Sequence, residues 1–402
     1  MRNPQQKPPF EPLALFNADD CELCGECLSQ CPYVNLSKKQ AAREIFRLTS
    51  DRRSIMLEKC AGCMTCSTVC PNGCDPYALI RARWHERYRE KGLPASAAYM
   101  MPHIFPNFRS TVKLSKSERA ILKKIAAPPD SETVLYTGCN SLVYPAIYSS
   151  SIFDGLPPFG SLEYCCGEMY YRMGLLDSAR ESALKLKEIF GRLKAKKMVF
   201  ICAACMNMIA YVFPREFGID FDFEKQFLPE WILDKIDEGK IEIKKPLRKK
   251  VVVHDSCHAK IMGPEIHEAP RKLLERLGAD LMELPHTKDT SLCCGIAAGC
   301  SRFNLADMAR ASLLRLREFR ESGADAAVTY CNGCQISLGM VKLFTPFVPP
   351  MVPLVQLVQQ AAGEKPPLGL PVTRSRQVLT GLFRHAGPKT LSPGRFFMKT
   401  IT

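Results

Sequence analysis

Two cysteine runs with identical spacing constrain this 402-residue chain more than any other feature of its sequence. Each run has the spacing C-x2-C-x2-C-x3-C and is followed directly by a proline, Pro32 or Pro71. The eight cysteines are Cys21, Cys24, Cys27 and Cys31 in the first run, and Cys60, Cys63, Cys66 and Cys70 in the second. Because two separate segments carry one spacing, they indicate two copies of a single ligand arrangement.

Bacterial-type ferredoxins use this spacing to hold two 4Fe-4S clusters, and the fourth cysteine of each run ligates the cluster of the other run. The sequence therefore predicts two cubane 4Fe-4S clusters. Their expected ligands are Cys21, Cys24, Cys27 and Cys70 for one cluster, and Cys60, Cys63, Cys66 and Cys31 for the other. A pair of zinc sites is the alternative, but it leaves the third and fourth cysteines of each run and both prolines unexplained.

The segment between the runs is rich in helix formers, and its apolar residues recur at near-helical spacing at Ala42, Ile45, Phe46 and Leu48. A second helix is predicted at 77–89, where a solvated basic face is expected from Arg81, Arg83, Arg87 and Arg89. A helix-bearing linker is similar to that of helical ferredoxin-type modules. We therefore expect such a module over residues 1–110.

The remainder of the chain contains one motif order twice. In each copy a strand-like segment ends in a cysteine, a Cys-Cys-Gly triplet follows, and a further strand-like segment ends in C-x2-C. The cysteines are Cys139, Cys165, Cys166, Cys202 and Cys205 in the first copy, and Cys257, Cys293, Cys294, Cys331 and Cys334 in the second. A helix-like segment precedes the last strand of each copy. This alternation predicts an α/β fold with parallel sheets, arranged as two duplicated halves at 130–245 and 246–362.

The five cysteines of each half are expected to meet in one crevice. Ligands of parallel sheets collect beyond the carboxyl ends of the strands, which is where Cys139, Cys202, Cys257 and Cys331 fall. Ordinary zinc and cubane sites take four protein ligands, so five converging cysteines indicate a larger or more open cluster. The alternatives are a cubane cluster with a spare structural cysteine, or a free thiol pair within the Cys-Cys-Gly triplet.

This motif order resembles the CCG motif of the heterodisulfide reductase catalytic subunits. The fusion of two ferredoxin runs with two CCG halves resembles the D-type subunit of that enzyme from about Cys21 to Gln359. The resemblance implies a noncubane 4Fe-4S cluster in each half, held by the five cysteines of that half. It also implies that the pair of clusters splits a disulfide in one-electron steps. The interval from Cys139 to Cys165 is shorter than the matching interval from Cys257 to Cys293.

The resemblance therefore implies a disulfide/thiol oxidoreductase with electrons relayed through the ferredoxin-type clusters. The chain is also similar to electron-transfer subunits of anaerobic glycerol-3-phosphate dehydrogenase and of glycolate or lactate oxidation systems. The alternative function is thus an electron-transfer subunit without its own substrate, which links a flavoprotein dehydrogenase to a membrane quinone or cytochrome b partner. A zinc-stabilised scaffold is a third alternative.

The candidate catalytic residues lie in the second half and are Cys257, Cys293, Cys294 and His258. His254 and His258 flank Cys257 and are candidates for donating a proton or a hydrogen bond, because histidine titrates near neutrality. Packing at the strand-to-helix turn is the alternative role for both. Lys260 is expected to be either a solvated lysine or a group that steers an anionic substrate.

Composition favours a folded chain in a reducing compartment. The hydrophobic fraction is 46%, and 20 of 402 residues are cysteine, below the roughly 8–10% that marks a disulfide scaffold. No signal peptide and no 18-residue apolar run is evident, so we expect a cytoplasmic protein, peripheral to the membrane only through a partner. The net charge of +14 is lowered by anionic clusters, and no nucleic-acid motif is present, so nucleic acid is not an expected partner.

The expected partners are a membrane cytochrome b-type subunit or a flavoprotein in a hetero-oligomeric complex, and a small thiol or disulfide. No G-x-G-x-x-G follows a strand, so a separate protein must supply or accept the electrons. Residues 363–402 form a basic tail with prolines and no clear helix, which predicts a disordered terminus or a segment that docks on an acidic subunit or anionic lipid. Cys74 and Cys300 lie outside the motifs and are expected to be buried small hydrophobic residues.

Overall fold

The structure is a computed structural model that describes residues 10–298, 304–390, 392, 394–399 and 401. Its N-terminal part is helical. The helices are α1 (Glu26–Ser29), α2 (Lys38–Thr49), α3 (Met56–Lys59), α4 (Thr65–Thr68) and α5 (Pro76–Lys91). Helix α2 begins with a capping box between Ser37 and Gln40, and the side chain of Asp75 caps α5. The helices predicted around 42–48 and at 77–89 are therefore present.

The solvated basic face predicted for α5 is wrong at Arg81. This side chain is buried, and its two Nη atoms donate to the two carboxylate oxygens of Glu216 at 3.0 and 3.1 Å. Its guanidinium also lies 3.9 Å from the ring centre of Tyr171. The reason is that α5 is covered by the first α/β half on this side, so a charged side chain there needs a partner from that half.

Residues 92–132 join the helical part to the first half. This segment contains the two-residue strand β1 (Leu93–Pro94) and helix α6 (Lys116–Ile125). The first half has a parallel sheet with the strand order β3-β2-β4-β5. Its strands are β2 (Thr133–Tyr136), β3 (Pro158–Phe159), β4 (Lys197–Phe200) and β5 (Glu224–Phe227), and its helices are α7 (Glu168–Arg172), α8 (Leu176–Phe190), α9 (Ala203–Met206), α10 (Phe213–Phe217) and α11 (Leu228–Asp237).

The second half repeats this topology with the parallel strand order β7-β6-β8-β9. Its strands are β6 (Lys250–His254), β7 (Asp280–Met282), β8 (Ala326–Thr329) and β9 (Met351–Pro353), and its helices are α12 (Pro264–Arg276), α13 (Leu305–Ser322), α14 (Asn332–Lys342) and α15 (Leu354–Ala361). The predicted fold class, an α/β fold with two parallel sheets behind a helical ferredoxin-type part, is confirmed. One continuous hydrophobic core runs through all three parts.

The C-terminal segment differs from its prediction, because it contains a 16-residue helix and a further helical turn. It contains α16 (Leu370–His385), α17 (Gly387–Thr390) and β10 (Arg395–Phe396), and β10 pairs antiparallel with β1. Helix α16 packs on α14, and the approach is close enough that a Cβ at Gly339 would lie 2.4 Å from Ser375 Oγ. Val378 and Leu382 are buried at i, i+4 on α16, which gives the helix an apolar face. The expectation of a tail without a helix is therefore wrong.

No helix in the described ranges is both long enough and apolar enough to cross a membrane.

Removing the charge of Arg374 is expected to destabilise the packing of α16. Arg374 is buried, it contacts the buried carboxylate of Glu118 on α6, and its Nη1 donates to Lys113 O at 2.6 Å. Breaking a buried ion pair leaves the other charge without compensation and typically costs about 3–5 kcal/mol. We therefore expect Arg374→Ala to lower the thermal unfolding midpoint measured by circular dichroism.

The matched control is Arg376→Ala, which removes an exposed arginine from the same helix. A surface change of this kind is usually within about 0.5 kcal/mol of neutral. If the two variants unfold at the same temperature, the Arg374–Glu118 pair does not stabilise the C-terminal segment.

Candidate functional site

The cysteines of the first half converge beyond the carboxyl ends of its strands, and all of them are buried. Cys139 follows β2, and Cys202 follows β4. The sulfur atoms of Cys139 and Cys165 lie 3.4 Å apart, and those of Cys166 and Cys205 lie 3.5 Å apart. We call this group the first site: Cys139, Cys165, Cys166, Cys202 and Cys205.

The second half repeats this arrangement position by position. Cys257 hydrogen-bonds Cys293, and Cys294 hydrogen-bonds both Cys293 and Cys334. Hydrogen bonds with these two thiols lower the pKa of Cys294 to about 6, just as hydrogen bonds with Cys165 and Cys205 lower the pKa of Cys166 to about 6. We call this group the second site: Cys257, Cys293, Cys294, Cys331 and Cys334, all of them buried.

The glycine of each Cys-Cys-Gly triplet brings the cysteine pair against the following long helix. Gly167 has φ +68°, and a Cβ there would lie 2.8 Å from Ser182 on α8. Gly295 has φ +91°, and a Cβ there would lie 2.3 Å from Ser312 Oγ on α13. Both the positive φ and the lack of space require glycine. The triplet therefore fixes the two adjacent thiols between a sheet edge and a helix.

His254 supplies a further observation about the second site. Its Nδ1 or Nε2 atom and the sulfur atoms of Cys294 and Cys334 all lie within 4.8 Å of one another. The imidazole is buried, and within the described part of the chain neither ring nitrogen has a hydrogen-bond partner. Burial lowers the pKa of His254 to about 3, so the ring is neutral. The equivalent residue of the first half is Tyr136, whose hydroxyl donates to Tyr164 O.

These donors fit iron–sulfur clusters. Soft thiolate ligands in groups of four or five select such clusters or other thiophilic metals, and metal binding deprotonates the thiols. An unpartnered buried imidazole is costly, and the neighbouring ligands of a bound cluster would give His254 a partner. The residues that could hold the clusters are the eight cysteines of the two runs and the ten cysteines of the first and second sites.

A buried polar network surrounds Cys257. Both Nη atoms of Arg172 lie 3.4 Å from Cys257 Sγ, and Arg172 also contacts Glu168 and His258. His258 Nε2 lies 2.9 Å from Glu168 Oε1, and its Nδ1 lies 2.9 Å from Asn207 Nδ2. Burial opposes ionisation of Glu168, but the charge of Arg172 and the hydrogen bond from His258 hold its pKa well below the usual range.

Three members of this network, Glu168, Arg172 and Asn207, belong to the first half although they act at the second site. Of the side chains around Cys257, His258 was predicted from the sequence, but these three were not. The sequence does contain a signal for two of them, because Glu168 and Arg172 have the i, i+4 spacing of an ion pair. Glu168 also directly follows the first triplet, whereas the apolar Ile296 follows the second. Sequence spacing alone does not tell which site such a pair faces.

Lys260 contradicts its prediction, because it is neither solvated nor free to steer a ligand. It is buried, and its Nζ donates to Thr65 Oγ1 at 2.7 Å and to Ser291 O at 2.8 Å. Thr65 in turn accepts a hydrogen bond from Cys63 Sγ at 3.3 Å. Lys260 therefore connects the second ferredoxin run to the loop that precedes Cys293.

Two further contacts join the ferredoxin part to the second site. Arg172 Nη1 donates to Gly62 O of the second run at 2.9 Å, and the backbone N–H of Cys293 donates to the hydroxyl of Tyr33, the second residue after Cys31. The two sites also meet each other, because the sulfur atoms of Cys202 and Cys331 lie 3.8 Å apart. The contacts thus form a continuous series from the second ferredoxin run to the second site and then to the first.

The structure describes only one of the two cysteines outside the motifs, Cys74. Cys74 is buried, as expected of a small hydrophobic residue, and its Sγ lies 3.7 Å from Asn72 O. Its thiol also hydrogen-bonds Cys70 of the second run. Cys300 lies outside the described residues.

Comparison with known protein families identifies both kinds of domain. The 4Fe-4S dicluster domain matches residues 13–71, which include all eight cysteines of the runs. The cysteine-rich domain CCG matches residues 156–210 and 251–339. The second match contains the whole second site, whereas Cys139 of the first site precedes the first match.

Relatives with curated descriptions extend this similarity over most of the chain. The D subunit of the dihydromethanophenazine:CoB--CoM heterodisulfide reductase of Methanosarcina barkeri is 26% identical over 87% of this chain and 95% of its own length. The D subunit of the Methanosarcina mazei enzyme is 26% identical with the same coverage. The C subunit of the anaerobic glycerol-3-phosphate dehydrogenase of Escherichia coli is 30% identical over 45% of this chain and 46% of its own length.

Proposed function

We propose that this chain, a CCG-domain iron–sulfur protein related to the D subunit of heterodisulfide reductase, reduces a disulfide to two thiols or catalyses the reverse reaction. In this proposal the cysteines of the two runs hold two cubane 4Fe-4S clusters. The first and second sites hold two noncubane 4Fe-4S clusters through five cysteines each. Residues 1–110, 130–245 and 246–362 are the corresponding domains, followed by the C-terminal segment at 363–402.

One observation carries this proposal. The two five-cysteine sites meet through Cys202 and Cys331, at 3.8 Å between sulfur atoms, and the second site packs on the ferredoxin part. Reduction of a disulfide consumes two electrons and two protons and yields two thiols, so two adjacent one-electron centres match its stoichiometry. An electron carrier that handles one electron at a time needs no such pair.

The chain's own residues would prepare the second site for this reaction. Arg172 holds its guanidinium against Cys257 Sγ, and His258 Nε2 lies between Arg172 and Glu168, where it can hold a proton or donate a hydrogen bond. Both side chains are buried, so water is excluded from this side of the site. Bound clusters would supply the one-electron redox chemistry.

A cavity of about 30 Å³ lies beside the chain segments that carry Cys202 and Cys331. It is lined by the sequence neighbours of the two meeting cysteines, namely Ile201 beside Cys202, and Tyr330 and Asn332 beside Cys331. The rest of its lining is mostly apolar: Ile147, Leu228, Pro229, Ile232, Thr329, Pro353, Leu354 and Val355. A volume of this size holds about one water molecule, and no cysteine is among the lining residues, so the cavity does not define a substrate pocket.

A second candidate function is electron transfer without a substrate, as in a subunit that links a flavoprotein dehydrogenase to a quinone or cytochrome b partner. The observation that favours it is burial, since all ten cysteines of the two sites are 6% exposed or less. The similarity to the C subunit of glycerol-3-phosphate dehydrogenase agrees with this candidate. In either case we propose that the chain is one cytoplasmic subunit of a hetero-oligomeric complex, with a membrane cytochrome b-type or flavoprotein partner.

Spectroscopy of the oxidised protein with added thiols tests the proposed function. We expect a new paramagnetic signal that depends on the thiol, because a substrate thiol that reaches the paired sites gives up one electron at a time. The measurement is electron paramagnetic resonance of anaerobically prepared protein, with a series of aliphatic thiols and with an alcohol of the same shape as the control.

The variant Cys257→Ser is expected to lose this signal while the spectrum of the reduced ferredoxin-type clusters is retained. If the intact protein gives no thiol-dependent signal although its iron content is complete, the disulfide proposal is wrong and electron transfer becomes the better account.

A further inference from the structure

Each of the two cysteine sites has one buried arginine on its first cysteine. At the second site this is Arg172, with both Nη atoms 3.4 Å from Cys257 Sγ and a close contact to the adjacent His258. At the first site it is Arg109, whose guanidinium lies near enough to Cys139 to favour its thiolate. Arg109 also donates from Nε to Oδ1 of Asn140, the residue after Cys139, at 3.2 Å. Both arginines are at most 4% exposed.

The two arginines each lie beside the first cysteine of a site, but they come from different parts of the chain. Arg109 lies in the connection that precedes the first half, and Arg172 lies at the end of α7 in the first half. Each therefore reaches a cysteine that belongs to the next part of the chain. Neither was singled out from the sequence, because the motif spacing contains no arginine.

The two guanidinium groups differ in their countercharge. Arg172 forms an ion pair with Glu168, which is itself largely buried. Arg109 has no carboxylate partner among the ion pairs of the described residues, and its neighbours are Asn140, the carbonyl of Met100 and the ring of Phe108 at 4.0 Å. The first site thus has a buried cation without a paired anion, whereas the second has a cation whose charge is balanced.

We propose that Arg109 and Arg172 are positioning residues that set the reduction potentials of the two CCG sites, and that the uncompensated Arg109 makes the first site the stronger oxidant. This inference rests on the proposed occupation of both sites by iron–sulfur clusters. Hydrogen bonds to cluster sulfur and the net charge nearby tune the reduction potential, because they stabilise the more negative reduced state. A charge in a poorly solvated environment acts with little screening, which strengthens the effect.

The proposal gives electron flow a direction. The second ferredoxin run is packed on the second site, and the second site contacts the first through Cys331 and Cys202. An electron that arrives through the ferredoxin part would therefore move from the second site to the first with a favourable change in potential. Glu168 contributes to that gradient, because its negative charge opposes the effect of Arg172 at the second site.

A redox titration of anaerobically prepared protein, followed by electron paramagnetic resonance with dithionite as the reductant, tests this inference. We expect Arg109→Gln to lower the potential of the first site, with at least a tenfold change in its ratio of reduced to oxidised forms at a fixed potential. Such a change corresponds to about 59 mV for one electron. Glu168→Gln is expected to raise the potential of the second site by a similar factor, because it removes the countercharge.

The signals are assigned to the sites with Cys139→Ser and Cys257→Ser. The ferredoxin-type clusters provide an internal control, and Arg89→Gln removes an exposed arginine of α5 as a matched control. If Arg109→Gln leaves the potential of the first site unchanged while the cluster is retained, the inference is overturned. The same conclusion follows if Glu168→Gln lowers the potential of the second site.

Conservative variants keep the test informative if a glutamine variant does not fold. Arg109→Lys and Arg172→Lys retain the positive charge but lose the planar fork that contacts two atoms at once. A charge effect predicts potentials close to those of the unmodified protein, and a change of tenfold or more in the ratio of reduced to oxidised forms would contradict it. Absence of iron from both sites in the unmodified protein would instead contradict the proposed function, so the two failures are distinguishable.

Discussion

Replacing Cys294 with serine is expected to remove the cluster of the second site and to leave the two ferredoxin-type clusters in place. Cys294 is buried at the centre of the second site and hydrogen-bonds two other cysteines of that site. An alcohol is a much poorer ligand for iron than a thiolate, so the remaining thiols would have to hold the cluster alone. We expect the iron content to fall by roughly four of about sixteen atoms per chain, and disulfide reduction to be abolished.

The measurement is iron and sulfide analysis of anaerobically purified protein, together with the spectrum of the dithionite-reduced form. Cys166→Ser is the equivalent change in the first half and should remove the same amount of iron from the other site. Arg376→Ala is the control, because Arg376 is exposed on α16 and lies outside all of the cysteine motifs. Simultaneous loss of all clusters in Cys294→Ser, with the protein still folded, would contradict separate sites.

Replacing Asp255 with alanine is expected to cause a large loss of stability in the second half. Asp255 is completely buried, and its carboxylate accepts two hydrogen bonds from Arg271 at 2.9 and 2.8 Å. It also accepts from the hydroxyl of Tyr330 at 3.0 Å and from the backbone N–H of Lys288 at 2.8 Å. Removal of one partner of a buried ion pair typically costs about 3–5 kcal/mol.

The same change should also reduce the iron content of the second site. Asp255 lies two residues before Cys257, and Tyr330 directly precedes Cys331, so the carboxylate fixes two ligand-bearing segments relative to each other. Thermal unfolding and iron analysis of one preparation measure both effects. Glu283→Gln is the matched control, because Glu283 also binds Arg271 but is 46% exposed in its side chain and should matter much less. Equal effects of the two changes would show that burial of Asp255 is not what matters.

Local spacing was sufficient to predict much of this protein. The cysteine runs, the helices around them and the repeated strands depend on residues that are close in sequence, and the equal strand orders of the two sheets agree with the internal repeat. The burial of Cys74 was predictable for the same reason, since it lies between the second run and α5.

Contacts between distant segments were not predictable. Arg172 and Cys257 are 85 residues apart, and Lys260 and Thr65 are 195 residues apart, so no spacing rule connects them. Arg81 looked like a surface residue because its partner, Glu216, lies 135 residues away. In each case a charged side chain is buried only because another part of the chain supplies the compensating group.

The prediction for the C-terminal segment was wrong for a different reason. The segment contains prolines and many basic residues, so its narrow apolar stripe is easily overlooked in the sequence. Val378 and Leu382 are buried members of that stripe. Arg374 points inward with that stripe, so counting positive charges overstated how much of the segment is solvated.

Because Arg172 of the first half contacts Cys257 of the second half, the second half does not carry its complete cysteine site by itself. In this chain the Glu168–Arg172 ion pair of the first half completes the surroundings of Cys257 in the second half. Transferring the second half alone into another protein would therefore leave this cysteine without its cation.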